Sequence, residues 1–254
     1  MYKVKIVSDT KELAEVAVKR FTTLVEKAIA KRGVFRVSMA GGSTPRGMYV
    51  RLAQPEIAEK IDWSKIQIFW GDERCVPPDH GDSNYRLVKE TLLDNVPIPD
   101  ENVFRVRGEL APEQAANDYI TALRGAFGLD PAGGHVNGIE SRPRFDLILL
   151  GMGKDGHTAS LFPGLGAIHE TERWVAAHFV DKLDTWRVTL TPVVLNAAAN
   201  VVFLVSGASK AARIAEVLEG PFRPHDLPAQ IVRPTNGQLL WLIDEQAAAV
   251  LNKN

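Results

Sequence analysis

Short apolar segments alternate with longer amphipathic ones along most of this chain, and that alternation limits the folds open to it. The apolar segments predict strands at the N-terminus and at 34–40, 66–70, 145–150, 186–190, 200–205 and 239–243. The amphipathic segments predict helices over 9–31 and 112–127, and others that start near Pro45, Ser83, Pro192, Lys210 and Asp244. Apolar strands separated by helices are typical of a mostly parallel sheet covered on both faces. We therefore expect an α/β fold that binds ligands beyond the carboxyl ends of its strands.

The length and charge of the chain bear on its organisation and its partners. Its 254 residues, 45% of them apolar, suit a single α/β domain spanning 1–254. The glycine- and proline-rich stretch 128–144 is expected to be an irregular surface connection rather than a domain boundary. The formal net charge of −1 gives no reason to expect a nucleic acid or a membrane as partner, so any anion must be captured locally.

Cysteine usage and the N-terminal residues bear on the compartment. Cys75 is the only cysteine, so no disulfide can form within the chain, and we expect it to be a buried, unreactive thiol. The first residues lack the charged start and apolar run of a signal peptide. No apolar stretch reaches the roughly 20 residues that cross a bilayer. These features predict a cytoplasmic protein.

The first unusual loop is Gly41–Pro45, directly after a predicted strand. Its two glycines let the backbone approach a ligand closely, and the following helix, with Thr44 as its predicted N-cap, points unpaired amides toward it. Because helix amides and the helix dipole attract anions, Gly42, Ser43 and Thr44 are candidates for binding a phosphate. The alternative is a plain strand-to-helix turn with an ordinary cap.

The second unusual loop is Gly71–Arg74, at the end of the strand predicted over 66–70. Asp72 or Glu73 could accept hydrogen bonds from substrate hydroxyls, and Arg74 could hold negative charge. The alternative is a solvated turn that carries three charges.

The third unusual loop is Gly151–Thr158, in which His157 follows a glycine at a strand-to-helix junction. An unperturbed histidine has a pKa of about 6.5, so His157 is a candidate general base; the alternative is a histidine that only caps the next helix. No second histidine or cysteine stands at zinc-ligand spacing, so we expect no metal. Ser160 lacks the glycine-flanked turn of a serine nucleophile, which argues against a covalent intermediate.

Two cations complete the candidate site. Arg187 lies in or at the start of a predicted strand, and Lys210 lies at the start of a predicted helix. Each alone is typical of a surface charge. Together with the Gly42 loop they would give a phosphate two positive partners in a protein of nearly neutral net charge.

These segments in combination resemble the 6-phosphogluconolactonase family, which shares a superfamily with glucosamine-6-phosphate isomerase (deaminase). The matching segments are SMAGGSTPRGMY, IFWGDERCVPPDHGDSNYRL, FDLILLGMGKDGHTASLFPG, WRVTLTPVVLN and FLVSGASKA. They follow the family's order. The resemblance implies a three-layer α/β/α sandwich with a mostly parallel, Rossmann-like sheet. It also implies hydrolysis of 6-phospho-D-glucono-1,5-lactone, the second step of the oxidative pentose phosphate pathway, without a cofactor.

The resemblance further implies how the substrate's phosphate is bound. Gly42, Ser43 and Thr44 would cradle the 6-phosphate. Arg187 and Lys210 would be its cations. The expected partner is therefore a small sugar phosphate.

The resemblance implies the catalytic roles as well. His157 would be the general base that activates water, and Asp155 would orient the loop or His157 itself. Arg74 would lie near the lactone and stabilise the oxyanion. Asp72 would bind substrate hydroxyls or position the water.

Two other functions fit the same superfamily. The isomerase-deaminase branch has a glutamate where this chain has Phe162, and a tyrosine where it has Arg74. The missing carboxylate weakens aldose ring opening, whereas an arginine suits an ester oxyanion, so the lactonase interpretation is preferred. A non-catalytic sugar-phosphate-binding protein would retain Ser43, Arg187 and Lys210. It would not need the water-activating group, His157.

Overall fold

The computed structural model describes residues 2–129, 135–136, 139–140 and 142–252. Its strands are β1 (Tyr2–Val7), β2 (Phe35–Met39), β3 (Ile66–Trp70), β4 (Asp72–Arg74), β5 (Val103–Phe104), β6 (His135–Val136), β7 (Ile139–Glu140), β8 (Leu147–Leu150), β9 (Val175–Val180), β10 (Thr185–Leu190), β11 (Asn200–Val205) and β12 (Gln238–Asp244). Its α-helices are α1 (Thr10–Arg32), α2 (Ser43–Leu52), α3 (Pro55–Ala58), α4 (Asn84–Thr91), α5 (Pro112–Phe127), α6 (Pro192–Leu195) and α7 (Ala211–Glu219).

The main sheet contains seven strands in the order β1-β12-β11-β8-β2-β3-β5. Every neighbouring pair in it runs parallel, and helices flank the sheet. The prediction of an α/β fold with a mostly parallel sheet is therefore confirmed. Because all these strands point the same way, the loops that follow β2, β3, β8 and β11 meet at one edge.

A second sheet, which the sequence did not predict, has three antiparallel strands in the order β4-β10-β9. The strand predicted over 186–190 is present but belongs to this sheet. The expectation that residues 71–74 form a loop was wrong, because Asp72–Arg74 pairs with β10 as β4. The hydrogen bond from Leu190 N to Gly71 O, 2.8 Å long, joins the second sheet to the end of β3.

The helices differ from the prediction at three places. No helix follows His157, where a strand-to-helix junction was expected; turns and a bridge between Thr158 and Leu161 come next. The helix expected from Pro45 begins at Ser43, and its N-cap is Gly42 rather than Thr44. The helix expected after Asp244 does not form, and residues 245–250 are in turns. The buried Asp244 carboxylate instead accepts hydrogen bonds from the backbone of Gly207 and Ala247.

Two buried tyrosines fix the carboxyl ends of neighbouring strands. The Tyr49 hydroxyl accepts from Ala40 N at 2.9 Å and donates to Ala40 O at 2.7 Å, just beyond β2. The Tyr119 hydroxyl does the same with the N–H and C=O of Trp70 at the end of β3. Burial raises the pKa of both phenols, so each keeps its proton and can donate. The two loops that begin there therefore start from fixed backbone positions.

Part of the connection predicted over 128–144 lies outside the described residues. In the described part, Gly128 ends α5 in the left-handed region with φ 63°, and β6 pairs with β7. None of the helices that the described residues form combines the length and the apolarity needed to span a bilayer.

Candidate active site

The loops at the carboxyl edge of the main sheet enclose a cleft of about 540 Å³. Eight of the nine predicted site residues line it, namely Gly42, Ser43, Thr44, Asp72, Arg74, His157, Arg187 and Lys210. Asp155, the ninth, lies behind His157 and contacts it. Residues separated by more than 160 positions in the sequence thus meet in one place, because parallel strands deliver their loops to the same edge.

The loop after β2 directs the start of α2 toward the cleft. Gly42 has φ 98°, a left-handed conformation that favours glycine, and α2 starts at the next residue. Gly41 faces Asn84 so closely that a Cβ there would lie 1.8 Å from the amide oxygen. Thr44 Oγ1 and the Ser206 hydroxyl are 2.8 Å apart. The unpaired amides at this helix start can therefore approach an anion.

The loop after β11 lies beside it and brings a cation to the cleft. Lys210 Nζ donates to Met152 O at 2.7 Å, which ties this loop to the loop after β8. Burial lowers the pKa of Lys210, and the nearby charge of Lys154 lowers it further. Gly207, with φ 92°, makes the turn and donates its N–H to Asp244. A partly buried ammonium of this kind gains by binding an anion.

Arg74 and Arg187 lie opposite each other in the antiparallel pair of β4 and β10. Arg187 is only 8% exposed, and the Nε atoms of both arginines are buried without a hydrogen-bond partner. Burial lowers the pKa of Arg187, and the charge of Arg74 adds to that effect. Arg74 Nη1 also donates to Asp82 O. Two adjacent cations with unused donors make this wall of the cleft a site for negative charge.

Glu73 does not face the cleft, although it lies between two residues that do. It is 2% exposed, and its carboxylate accepts from the backbone N–H of Arg74, Asn84 and Tyr85 and from the Ser83 hydroxyl. Burial raises the pKa of Glu73, and these donors oppose that rise. Its alternation with Asp72 and Arg74 along β4 turns it to the opposite face. Glu73 holds the start of α4 against β4 and is not a ligand residue.

Asp72 is oriented by two side chains that the sequence did not single out as site residues. The Ser160 hydroxyl donates to Asp72 Oδ2 at 2.6 Å. The Asn84 amide donates to Asp72 O at 2.9 Å and to Oδ1 at 3.3 Å. Asn84 belongs to the SNYR segment, where only a helix start was predicted, and Ser160 was considered only as a nucleophile. Their role depends on contacts between distant segments, which no local pattern reveals.

His157 and Asp155 form a hydrogen-bonded pair within the loop after β8. His157 Nδ1 lies 2.5 Å from Asp155 Oδ1, which also accepts the His157 N–H at 3.1 Å. Gly153 permits this arrangement, because a Cβ there would lie 2.1 Å from Nδ1. The Phe162 ring packs on the imidazole with centroids 4.2 Å apart. Ala159, which follows in the lining of the cleft, has φ 46°, a strained conformation for a residue with a side chain.

Cys75 lies next to this site but is not built for reaction. It is half-buried, and burial together with the charge of Glu73 raises its pKa to about 11. Across the described residues, no three His, Cys, Asp or Glu side chains are grouped so that they could hold a metal ion.

Residues 8–241 match the protein family described as glucosamine-6-phosphate isomerases/6-phosphogluconolactonase. The chain belongs to this family. A 6-phosphogluconolactonase of Synechocystis sp. is 41% identical over 236 residues, which cover 92% of this chain and 92% of that protein. A probable 6-phosphogluconolactonase of Arabidopsis thaliana is 36% identical over 257 residues, with 98% and 94% covered. The resemblance on which the sequence interpretation rested is confirmed.

Solved structures of the family have the same fold. A 6-phosphogluconolactonase from Trypanosoma cruzi superposes with a TM-score of 0.86 at 28% identity and covers 100% of this chain and 98% of its own. That of Trypanosoma brucei gives 0.83 at 30% identity, with 99% of each chain covered. A monomeric glucosamine-6-phosphate deaminase gives 0.79 at 20% identity over 98% of this chain and 99% of its own, which is a likeness of fold alone.

Proposed function

We propose that this protein is a 6-phosphogluconolactonase that hydrolyses 6-phospho-D-glucono-1,5-lactone to 6-phosphogluconate, the second step of the oxidative pentose phosphate pathway. The observation that carries the proposal is the Asp155–His157 pair, whose imidazole lines the same cleft as Arg74 and Arg187. Ester hydrolysis needs a group that activates water and a positive group that stabilises the oxyanion. The cleft contains both, and the names of the relatives agree.

The phosphate end of the substrate is assigned to the start of α2. There Gly42, Ser43 and Thr44 present amides and hydroxyls, with Lys210 and Arg187 as cations in the same cleft. The amides at the helix start attract an anion. Because the formal net charge of the whole chain is only −1, the anion must be bound by such local groups and not by an overall positive charge. Binding the phosphate away from the carbonyl would hold the reacting atoms in place and reduce the entropic part of the barrier.

His157 is assigned as the general base. With Nδ1–H donated to Asp155, Nε2 keeps a lone pair that can take a proton from water. The resulting hydroxide oxygen bonds to the carbonyl carbon, and Arg74 stabilises the oxyanion. When the tetrahedral intermediate collapses, the bond from that carbon to the ring oxygen breaks and the imidazolium returns the proton to the leaving oxygen. Asp72 positions the water or a substrate hydroxyl.

Direct attack by water, without a covalent intermediate, is supported by the environment of Ser160. Its hydroxyl donates to Asp72 at 2.6 Å. A serine nucleophile instead donates its proton to an adjacent base such as histidine. Ser160 therefore holds Asp72 in place in this proposal.

The lactonase is favoured over an isomerase-deaminase by the surroundings of His157. Phe162, which stands where that branch has a glutamate, packs its ring on the imidazole. An apolar ring in that position cannot supply the carboxylate that assists aldose ring opening. Arg74, which lines the same cleft, suits an ester oxyanion.

The proposal is tested by acid release from freshly made 6-phosphogluconolactone, with a no-enzyme control because the ester also opens spontaneously. We expect His157→Ala to lose most of the acceleration, on the order of 10²–10⁴-fold, while 6-phosphogluconate still binds. His225→Ala, in an exposed histidine outside the cleft, is the matched control and should retain full activity. Unphosphorylated glucono-1,5-lactone should be a much poorer substrate.

The possible outcomes separate the three functions. Wild-type turnover in His157→Ala would reject the assignment of the base. Binding of 6-phosphogluconate without hydrolysis by the unmodified protein would indicate a sugar-phosphate-binding protein instead. Release of ammonia from glucosamine 6-phosphate would indicate the deaminase.

Two further features belong to the same proposal. Residues 1–254 form one domain in this proposal, since the small sheet supplies Asp72, Arg74 and Arg187 to a cleft whose other walls include loops of the main sheet. A cytoplasmic location is proposed from the single cysteine, which suits a reducing compartment.

A further inference from the structure

The hairpin between β9 and β10 reaches from the small sheet to the loop that carries His157. Its turn is a single 3₁₀ turn, Asp181–Leu183, followed by Asp184 in the left-handed region with φ 47°. Leu183 lines the cleft together with His157. The turn therefore places a side chain in the cleft although it is far from His157 in the sequence.

Lys182, in this turn, completes a closed set of contacts around the candidate base. Its Nζ forms an ion pair with Asp155 Oδ2, while Oδ1 of the same carboxylate contacts His157 Nδ1 at 2.5 Å. The same Nζ lies 4.7 Å from the centroid of the Phe162 ring, and that ring packs on the imidazole at 4.2 Å. Lys182 thus contacts both groups that hold the imidazole, one by charge and one by a cation–π contact.

We propose that Lys182 is a positioning residue for the reaction, which holds Asp155 and Phe162 so that His157 keeps one ring orientation and one tautomer. This inference rests on the proposed role of His157 as the base. The β9–β10 hairpin then contributes to catalysis as well as to the small sheet.

The groups around the Asp155 carboxylate support this role. Burial opposes ionisation of Asp155, but hydrogen bonds from His157 and Lys182 outweigh it and hold the pKa of Asp155 well below its usual range. A carboxylate that stays ionised and has one oxygen occupied by Lys182 presents the other to Nδ1–H in a fixed direction.

The first test compares Lys182→Met, which keeps the aliphatic stem, with Lys182→Arg, which restores the charge. We expect Lys182→Met to lower kcat about tenfold with little change in KM, because a general base contributes on the order of 10²–10⁴-fold and only its orientation is impaired. Lys182→Arg should recover most of the lost kcat.

Lys27→Met, in an exposed lysine of α1 outside the cleft, also removes one positive charge and should leave kcat and KM unchanged. Because the side chains of Lys182 and Asp155 are 51% and 32% exposed, high salt should weaken their interaction and reduce the difference between Lys182→Met and the unmodified protein. An unchanged kcat in Lys182→Met would overturn the proposal.

A second measurement separates failure of this inference from failure of the proposed function. Nitrogen-15 NMR of the imidazole reports the tautomer of His157 without any turnover. We expect predominantly the Nδ1–H form in the unmodified protein and in Lys182→Arg, and a mixture of tautomers in Lys182→Met. Identical imidazole spectra in all three would overturn the role of Lys182 even if hydrolysis were fully established. If the imidazole spectrum changes in Lys182→Met but the unmodified protein hydrolyses no lactone, the effect of Lys182 on His157 is supported and the proposed function is rejected.

Discussion

Arg74 lies directly opposite Arg187 across the antiparallel pair of β4 and β10. Like charges at directly opposed positions of a sheet repel, and here the Nε atoms of both side chains are also buried without a hydrogen-bond partner. The arrangement becomes favourable when an anion lies between or beside the two guanidinium groups. The sequence suggested that Arg187 acts with Lys210, but the structure places Arg187 next to Arg74.

This pairing predicts that phosphate stabilises the protein through Arg187. At a concentration 100 times the dissociation constant, a ligand that binds only the folded state adds about 2.7 kcal/mol to the free energy of unfolding. Inorganic phosphate should therefore raise Tm, and Arg187→Met should lose most of that rise. Differential scanning fluorimetry measures it, with chloride at matched ionic strength as the salt control and Lys27→Met as the protein control. An equal rise in Arg187→Met and in the unmodified protein would contradict the assignment.

The same assignment predicts a kinetic pattern for both cations of the phosphate. Arg187→Ala and Lys210→Ala should each raise KM more than they lower kcat. Loss of a hydrogen bond to a charged group costs about 1.5–3 kcal/mol, which corresponds to a rise in KM of roughly 10- to 150-fold. Steady-state kinetics checks this with the phosphorylated and the unphosphorylated lactone. If the substitutions affect both lactones equally, these cations do not bind the phosphate.

Glu73 is predicted to matter for stability and not for ligand binding. In Glu73→Gln the new NH₂ group would face backbone N–H groups, so at least one buried donor would lose its acceptor. The expected loss is about 2–3 kcal/mol in the free energy of unfolding, measured by urea denaturation. Glu90→Gln, in an exposed carboxylate paired with Arg86, should cost no more than about 0.5 kcal/mol. A Glu73→Gln variant as stable as the unmodified protein would show that these hydrogen bonds contribute little.

Cys75 is predicted to react slowly with thiol reagents near neutral pH. Burial, followed by the charge of Glu73, raises its pKa from 9.0 to about 11, so the folded protein holds less thiolate than the unfolded chain at any pH below that value. At pH 8 the rate of alkylation by iodoacetamide should be roughly 100-fold lower in the folded protein than in urea. The rate of alkylation of Cys75 in the folded protein should rise with pH up to about pH 11. Fast labelling at pH 8 without loss of structure would contradict this prediction, and Cys75→Ser should leave hydrolysis unchanged.

Several features of the site follow from local patterns in the sequence. The glycine-rich turn before α2 and the loop around His157 were recognisable because the residues that make a tight turn and those that bind or react lie within a few positions of each other. Parallel strands were predictable from short, fully apolar segments, and parallel strands place their loops at one edge. The sequence was therefore sufficient to predict that Ser43, His157 and Lys210 share a cleft.

The β4 segment shows where local patterns were insufficient. Asp72, Glu73 and Arg74 looked alike as three charges in a loop, yet pairing with β10 alternates their directions and buries Glu73 under donors from Asn84 and Tyr85. The pairing with β10 decides which of these three side chains face the cleft. That strand lies more than 100 residues further along the chain.

By itself, then, the sequence determined the fold class, the loops that form the cleft and the residues that could carry its chemistry, because each of these depends on neighbours in the chain. Only the tertiary structure decided that Arg187 stands beside Arg74, that Glu73 is structural, and that Lys182 reaches Asp155. The first two depend on the register of β4 against β10. The third depends on the hairpin between β9 and β10, which reaches the loop after β8. Such contacts are set by the packing of the whole core, since a shift of one residue in register would turn every side chain of a strand to the other face.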